Sequence, residues 1–149
     1  TPDEWFERAV ALEDAGRLQD AADAYRRCLK RVEVDPEAAF NLGNVLLSLN
    51  QVDEAIDWLR RATEWDVEYA EAWVNLAGAC GDTGRWEEAA HAARRALQIA
   101  PGYTDAHYNL ALALHALDRI REAKLHARAY LLQDPRSQWA DLLRSRLGL

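Results

Sequence analysis

The side chains best equipped for catalysis or metal binding are four histidines, His91, His107, His115 and His126, and two cysteines, Cys28 and Cys80. A metal centre needs such ligands at a spacing that gathers them on one face, as a histidine pair one helical turn apart does. The four histidines share no such spacing, and the eight-residue step from His107 to His115 leaves that pair on different parts of a helix. No glycine-rich loop stands ready to cradle a phosphate, and no serine or cysteine has an evident base partner. Each histidine therefore reads as a structural or surface residue. We expect no enzymatic activity, no cofactor and no metal, and the first function to consider is binding.

What positions any binding residue is repetition. Ala21, Ala55, Ala89 and Ala123 lie 34 residues apart. The same step links the small residues Ala9, Gly43, Ala77 and Ala111, the residues Gly16, Asn50, Gly84 and Asp118, which tolerate a left-handed backbone, and the acidic Asp3, Glu37, Glu71 and Asp105. A fixed period of this length marks a solenoid, whose units cannot bury their apolar faces alone. In the second unit, Ala39, Leu42, Gly43 and Leu46 form one helical stripe before Asn50, and Ala55, Ile56, Leu59 and Ala62 form another after it. The spacing predicts two amphipathic helices per unit, the first stopped where Gly, Asn or Asp enters the left-handed region cheaply. Small residues at the crossing let helix axes approach to roughly 8 Å, and Pro36, Pro101 and Pro135 punctuate the joins. The expected fold is all-α, a right-handed α-solenoid forming a single array over 1–149. Its units are 2–35, 36–69, 70–103 and 104–137, followed by a capping helix at about 137–147 with Trp139, Leu142 and Leu143 facing inward.

The formal charge of −7 argues against a nucleic-acid footprint, which needs a basic face. The acidity is uneven: the four units carry −3, −5, −1 and +1 in chain order, and the tail from Gln138 adds +1. Such a field favours a basic or amphipathic basic partner over a polyanion. Cys28 and Cys80 fall on separate units at small, buried-type positions, and free thilols of that kind fit a reducing compartment, so a cytoplasmic location is expected. No apolar run is long enough to span a bilayer. The chain has no methionine, even at its start, so we expect a processed chain or a piece of something longer. That no leader is read at its start says little about a parent protein.

These positions resemble the tetratricopeptide repeat, whose 34-residue pattern is W-x2-L-G-x2-Y, then A-x3-F, then P. The third unit gives Trp73, Leu76, Ala77, Cys80, Ala89, Ala93, Ala96 and Pro101, and the second gives Leu42, Gly43, Leu46, Ala55, Leu59 and Ala62. The fourth gives Leu110, Ala111, Leu114, Ala123, Ala127 and Pro135; in the first, Trp5, Ala9, Leu12, Ala21 and Tyr25 match while Arg8 replaces the leucine. The resemblance covers about residues 2 to 137, and the cap is similar to the family's solvating helix.

The resemblance implies a concave groove lined by the first helices. One row would be Phe6, Phe40, Val74 and Tyr108, beside Glu7, Asn41, Asn75 and Asn109, with Asn44, Leu112 and His115 one or two turns on. Phe6, Phe40 and Tyr108 are the candidate anchors, because aromatics give large contact energy at little entropic cost. The asparagines could hydrogen-bond the backbone of an extended peptide or could serve contacts between repeats. The acidic row sits at helix amino termini, where the helix dipole favours it. The family's carboxylate clamp is not expected: Asn44 and Asn75 are kept, but Phe40, Asp105 and Asn109 stand where cations are needed. The implied function is a protein-protein interaction module holding a neutral-to-basic apolar peptide or partner helix, with no nucleic acid and no membrane as partner. The alternatives are a structural or assembly element that self-associates, with Trp58 or Trp86 as the place to look, and a regulatory portion of a larger protein such as a transcription regulator or transferase.

Overall fold

In the computed structural model, which describes Thr1–Leu149, the chain reverses direction four times on the same hydrogen-bonded turn. Gly16, Asn50, Gly84 and Asp118 have φ of 76°, 59°, 74° and 61°. The amide one residue further on reaches back to a carbonyl five residues earlier, as Arg17 N–H to Leu12 O (2.8 Å) and Arg119 N–H to Leu114 O (2.8 Å). This closes the carbonyls left open at a helix end. The second helices then begin at once, without a side-chain cap.

Nine helices and no strand result: α1 Pro2–Asp14, α2 Leu18–Arg31, α3 Pro36–Ser48, α4 Val52–Trp65, α5 Ala70–Asp82, α6 Trp86–Ile99, α7 Thr104–Ala116, α8 Ile120–Gln133 and α9 Gln138–Leu147. First helices have 13 residues and second helices 14. Side-chain caps start three of the helices, whereas α7 begins after Tyr103 without one. Thr1 and Glu4 form a reciprocal cap on α1, Asp35 accepts from Ala38 N–H (3.0 Å) at α3, and Ser137 accepts from Ala140 N–H (3.1 Å) at α9.

The chain divides into two compact units, Thr1–Ala72 and Trp73–Leu149. In the first, α1 packs on α2, α2 on α3 and α3 on α4. Its core gathers Ala9, Ala21, Ala22, Tyr25, Leu42, Val45, Leu46 and Ala55. Tyr25 is fully buried and its phenol donates to Glu13 Oε2 (2.8 Å), so the largest core side chain keeps its polar atom paired. Gly43 marks a close crossing: a Cβ there would stand 2.7 Å from Leu59 Cγ. In the second unit α7 packs against α6, α8 and α9, and Val74, Ala96 and Ala106 form a core patch with Trp73, Leu97 and Tyr103 against it.

Both units carry the same ion pair. An arginine midway along one second helix meets a glutamate at the start of the next, 28 residues on: Arg26 binds both oxygens of Glu54 (2.9 and 3.0 Å), and Arg94 binds Glu122 (3.1 Å). Cys28 and Cys80 are buried and form no disulfide.

Candidate recognition site

In the second unit, α5, α7 and α9 enclose an open cavity of about 470 Å³. Gly78 and Gly81, one turn apart on α5, form part of its floor; a Cβ at Gly78 would meet only Asn109, at 3.7 Å, so the space exists because no side chain fills it. Tyr108, Asn109 and Leu112 line it from α7, Trp86 from the start of α6, and Trp139, Leu142 and Arg146 from the cap. Trp139 lies edge-on to Tyr108, with ring centroids 5.6 Å apart, and Tyr108 also touches Tyr130 at 5.4 Å. Asp82 and Arg146 bring one charge of each sign. The Tyr108 phenol is pushed up from its ordinary value, chiefly by burial, with Arg146 pulling it down and Asp82 pushing it up. Such a site can take an apolar or aromatic side chain, with polar partners at its rim.

Tyr108, Asn109 and Leu112 thus meet in one cavity, as their rows imply; His115 does not line it. The sequence reading did not assign Asp82, Trp139 or Arg146 to a site, and it named Trp86 only as a place for self-association. The cap itself differs from expectation. Leu143, Ala140 and Leu147 are its buried residues, whereas Trp139 is 49% exposed because it lies along the cavity wall instead of beneath the helix.

Two expected groove residues are buried instead of being spare from packing. Phe40 packs on Tyr69 (centroids 4.8 Å), which enters from the join after α4, and Val74 belongs to the α5–α6–α7 core patch. Phe6 remains half-buried, edge-on to Tyr25 at 5.8 Å. Around Phe40 the first unit is strongly acidic. The Tyr69 phenol is pushed up to about 12 by burial first and then by Glu71, Glu37, Asp66 and Asp35. The amides are not idle either. Asn109 Nδ2 donates to Val74 O on the preceding first helix (3.3 Å), which is the inter-repeat role, and Asn41 bonds the Tyr25 phenol. Asn44 and Asn75 are half-exposed.

A second cavity, about 330 Å³, lies between α1 and α2 under the guanidinium groups of Arg8 and Arg27, which flank Trp5 at 5.4 and 4.8 Å. None of the expected groove residues lines it. The histidines hold one surprise. His107 and His126 stack with Nδ1 atoms 3.0 Å apart, and His107 Nε2 sits 3.1 Å from Pro101 O. Burial and the neighbouring His107 and Arg94 hold His126 below its ordinary value, against the opposing pull of Glu122. No three His, Cys, Asp or Glu side chains are grouped to hold a metal ion.

Two tetratricopeptide repeat family models match this sequence, one over residues 6–66 and the other over 82–145. The chain belongs to the tetratricopeptide repeat family. Solved structures of the family share its fold. A crystal structure of MamA is 22% identical with a TM-score of 0.88, over 99% of this chain and 83% of that one. YrrB, described as a tetratricopeptide repeat protein with an unusual peptide-binding site, is 19% identical with a TM-score of 0.87, over 97% and 75%. The tetratricopeptide repeat domain of OM64 from Arabidopsis is 22% identical with a TM-score of 0.71, over 75% and 93%. No curated protein matches by sequence. The fold is therefore an all-α helical-repeat solenoid, and the chain is a protein-protein interaction module on a scaffold that is in general non-enzymatic. No helix is long and apolar enough to cross a membrane.

Proposed function

We propose that this tetratricopeptide repeat chain acts without catalysis, as one array of units 2–35, 36–69, 70–103 and 104–137 with its cap. It holds a neutral-to-basic apolar peptide or partner helix along its first helices. The observation that carries this reading is the aromatic-walled cavity over Gly78 and Gly81, sized to take a large apolar side chain of the ligand. Tyr108, Leu112, Trp86 and Trp139 would grip that side chain. Asn109, whose Nδ2 is engaged, would offer its Oδ1 to a ligand amide. In the first unit the carboxylates around Tyr69 favour a basic residue and oppose an acidic carboxyl-terminal peptide. Phe6, Asn41, Asn44, Asn75 and His115 are secondary contacts, and Phe40 and Val74 act as floor. The buried thiols fit a cytoplasmic setting. Self-association through Trp58 or Trp86 has less to rest on: Arg61 covers Trp58 at 4.3 Å, and Trp86 is part of the cavity wall.

The test is a peptide library, with hits followed by calorimetric titration. Gly78→Leu plugs the cavity from a position where a Cβ meets no close contact, and Tyr108→Ala removes the central ring. Both should weaken a hit at least tenfold while helicity by circular dichroism holds. Hits indifferent to both changes would overturn the reading.

A further inference from the structure

The outer face of α8 differs from that of every other second helix. Aligned at the 34-residue step, its solvent-side stripe reads Gln19, Asp23, Arg26, Lys30 on α2; Asp53, Asp57, Arg60, Glu64 on α4; Glu87, His91, Arg94, Gln98 on α6; and Arg121, Leu125, Arg128, Leu132 on α8. Only on α8 do leucines occupy the second and fourth positions, and they are 64% and 85% exposed. Arg121 and Arg128 are exposed as well and take part in no ion pair. The steps of four, three and four residues make a straight seam of the kind one helix presents to another in a coiled coil. The two leucines stand about 10 Å apart along the axis.

The molecule itself shows what docks on this arginine row. Arg26 and Arg94, the equivalents of Arg128, are each held by a glutamate from a neighbouring helix. Arg128 has the same position and no carboxylate. We propose that the α8 seam is a second docking surface, separate from the cavity, for a partner α-helix that sets leucine-like residues against Leu125 and Leu132 and carboxylates against Arg121 and Arg128. Charge complementarity selects an acidic helix. A lipid surface fits less well, because the seam is one residue wide with Glu122 beside it, whereas interfacial helices present a broad apolar face.

The probe is a fluorescent three-heptad helical peptide with leucine at a positions and glutamate at d positions, titrated into the full chain and read by anisotropy. Saturable binding should fall at least tenfold with Leu125→Asp/Leu132→Asp and with Arg121→Glu/Arg128→Glu, all at exposed sites. A lysine-for-glutamate version of the peptide should bind the charge-reversed chain and not the original. Gly78→Leu should leave the signal unchanged, which separates this surface from the cavity. No binding, binding insensitive to the α8 substitutions, or the same substitutions abolishing attachment to vesicles of phosphatidylcholine and phosphatidylserine in place of the peptide would each overturn the proposal.

Discussion

The two compact units are built on one pattern and finished differently. The first, Thr1–Ala72, carries a formal charge of −9 and the second, Trp73–Leu149, carries +2. In the first, the aromatic positions facing the expected groove lean on tyrosines, Phe6 on Tyr25 and Phe40 on Tyr69. In the second, glycines replace side chains on α5 and a cavity opens, walled by rings from α6, α7 and α9. The turns, the alanine rows and the arginine–glutamate pair are common to both. Architecture thus resides in what repeats, and the proposed recognition features lie where the repeat is broken.

The sharpest way to break that contrast is to exchange glycine for alanine in both units. Gly43→Ala drives a Cβ to 2.7 Å from Leu59 Cγ and 2.9 Å from Cδ2 in a closed crossing. We expect it to cost about 1–3 kcal/mol by urea unfolding. Gly78→Ala adds a methyl to open space and removes a helix glycine, so it should stabilise by roughly 0.5–1 kcal/mol. Equal effects at the two sites would mean that the cavity closes up in solution.

Much of this was legible in the sequence because a row compares four environments at once. A residue that is Gly, Asn, Gly, Asp every 34 positions admits one backbone explanation, and φ is positive at all four. Tyr108, Asn109 and Leu112 could be placed on one face for the same reason. Rows fix a face but not a depth, so the burial of Phe40 under Tyr69, a join residue, was out of reach. Trp139 and Arg146 lie on α9, which starts one 34-residue step after α7 but sets a tryptophan in the row of Asp3, Glu37, Glu71 and Asp105, so the row does not say where that ring lands. The stacked histidines do have a signal in the sequence. His107 and His126 are 19 residues apart, and the same separation elsewhere pairs Trp5 with Ala24, Ala39 with Trp58 and Trp73 with Ala92. One large and one small residue share the slot three times; in the fourth, two middle-sized rings do. The α8 leucines were likewise readable from their polar equivalents.

A smaller and equal effect is expected at the turns. A Cβ at Gly16 or Gly84 meets nothing within 4 Å, so the cost of alanine there is the left-handed backbone alone. Gly16→Ala and Gly84→Ala should each lose about 1 kcal/mol, with the two values agreeing. A marked difference between them would place part of the contrast between the units in the scaffold and not in the variable rows.

The shallowest contrast is in pH. Tyr69, in the first unit, has its phenol raised to about 12 from an ordinary 10.0. The folded state holds that proton more tightly than the unfolded chain, so the associated stability is complete below pH 10 and drains away as pH rises toward 12. His126, in the second unit, is shifted down from 6.5. The unfolded chain takes up its proton first, so stability present above pH 6.5 declines as pH falls below it. Two charged rings cannot keep the 3.0 Å Nδ1 contact, and Glu122 opposes the effect only in part. Urea midpoints measured across pH should therefore fall at both ends. Tyr69→Phe should lessen the alkaline limb, which it shares with the likewise raised phenols of Tyr25, Tyr108 and Tyr130, and leave the acid side unchanged. His126→Gln should flatten the fall just below pH 6.5 and leave the alkaline side unchanged. A fall just below pH 6.5 that survives His126→Gln would make the histidine pair a packing solution with no role in titration.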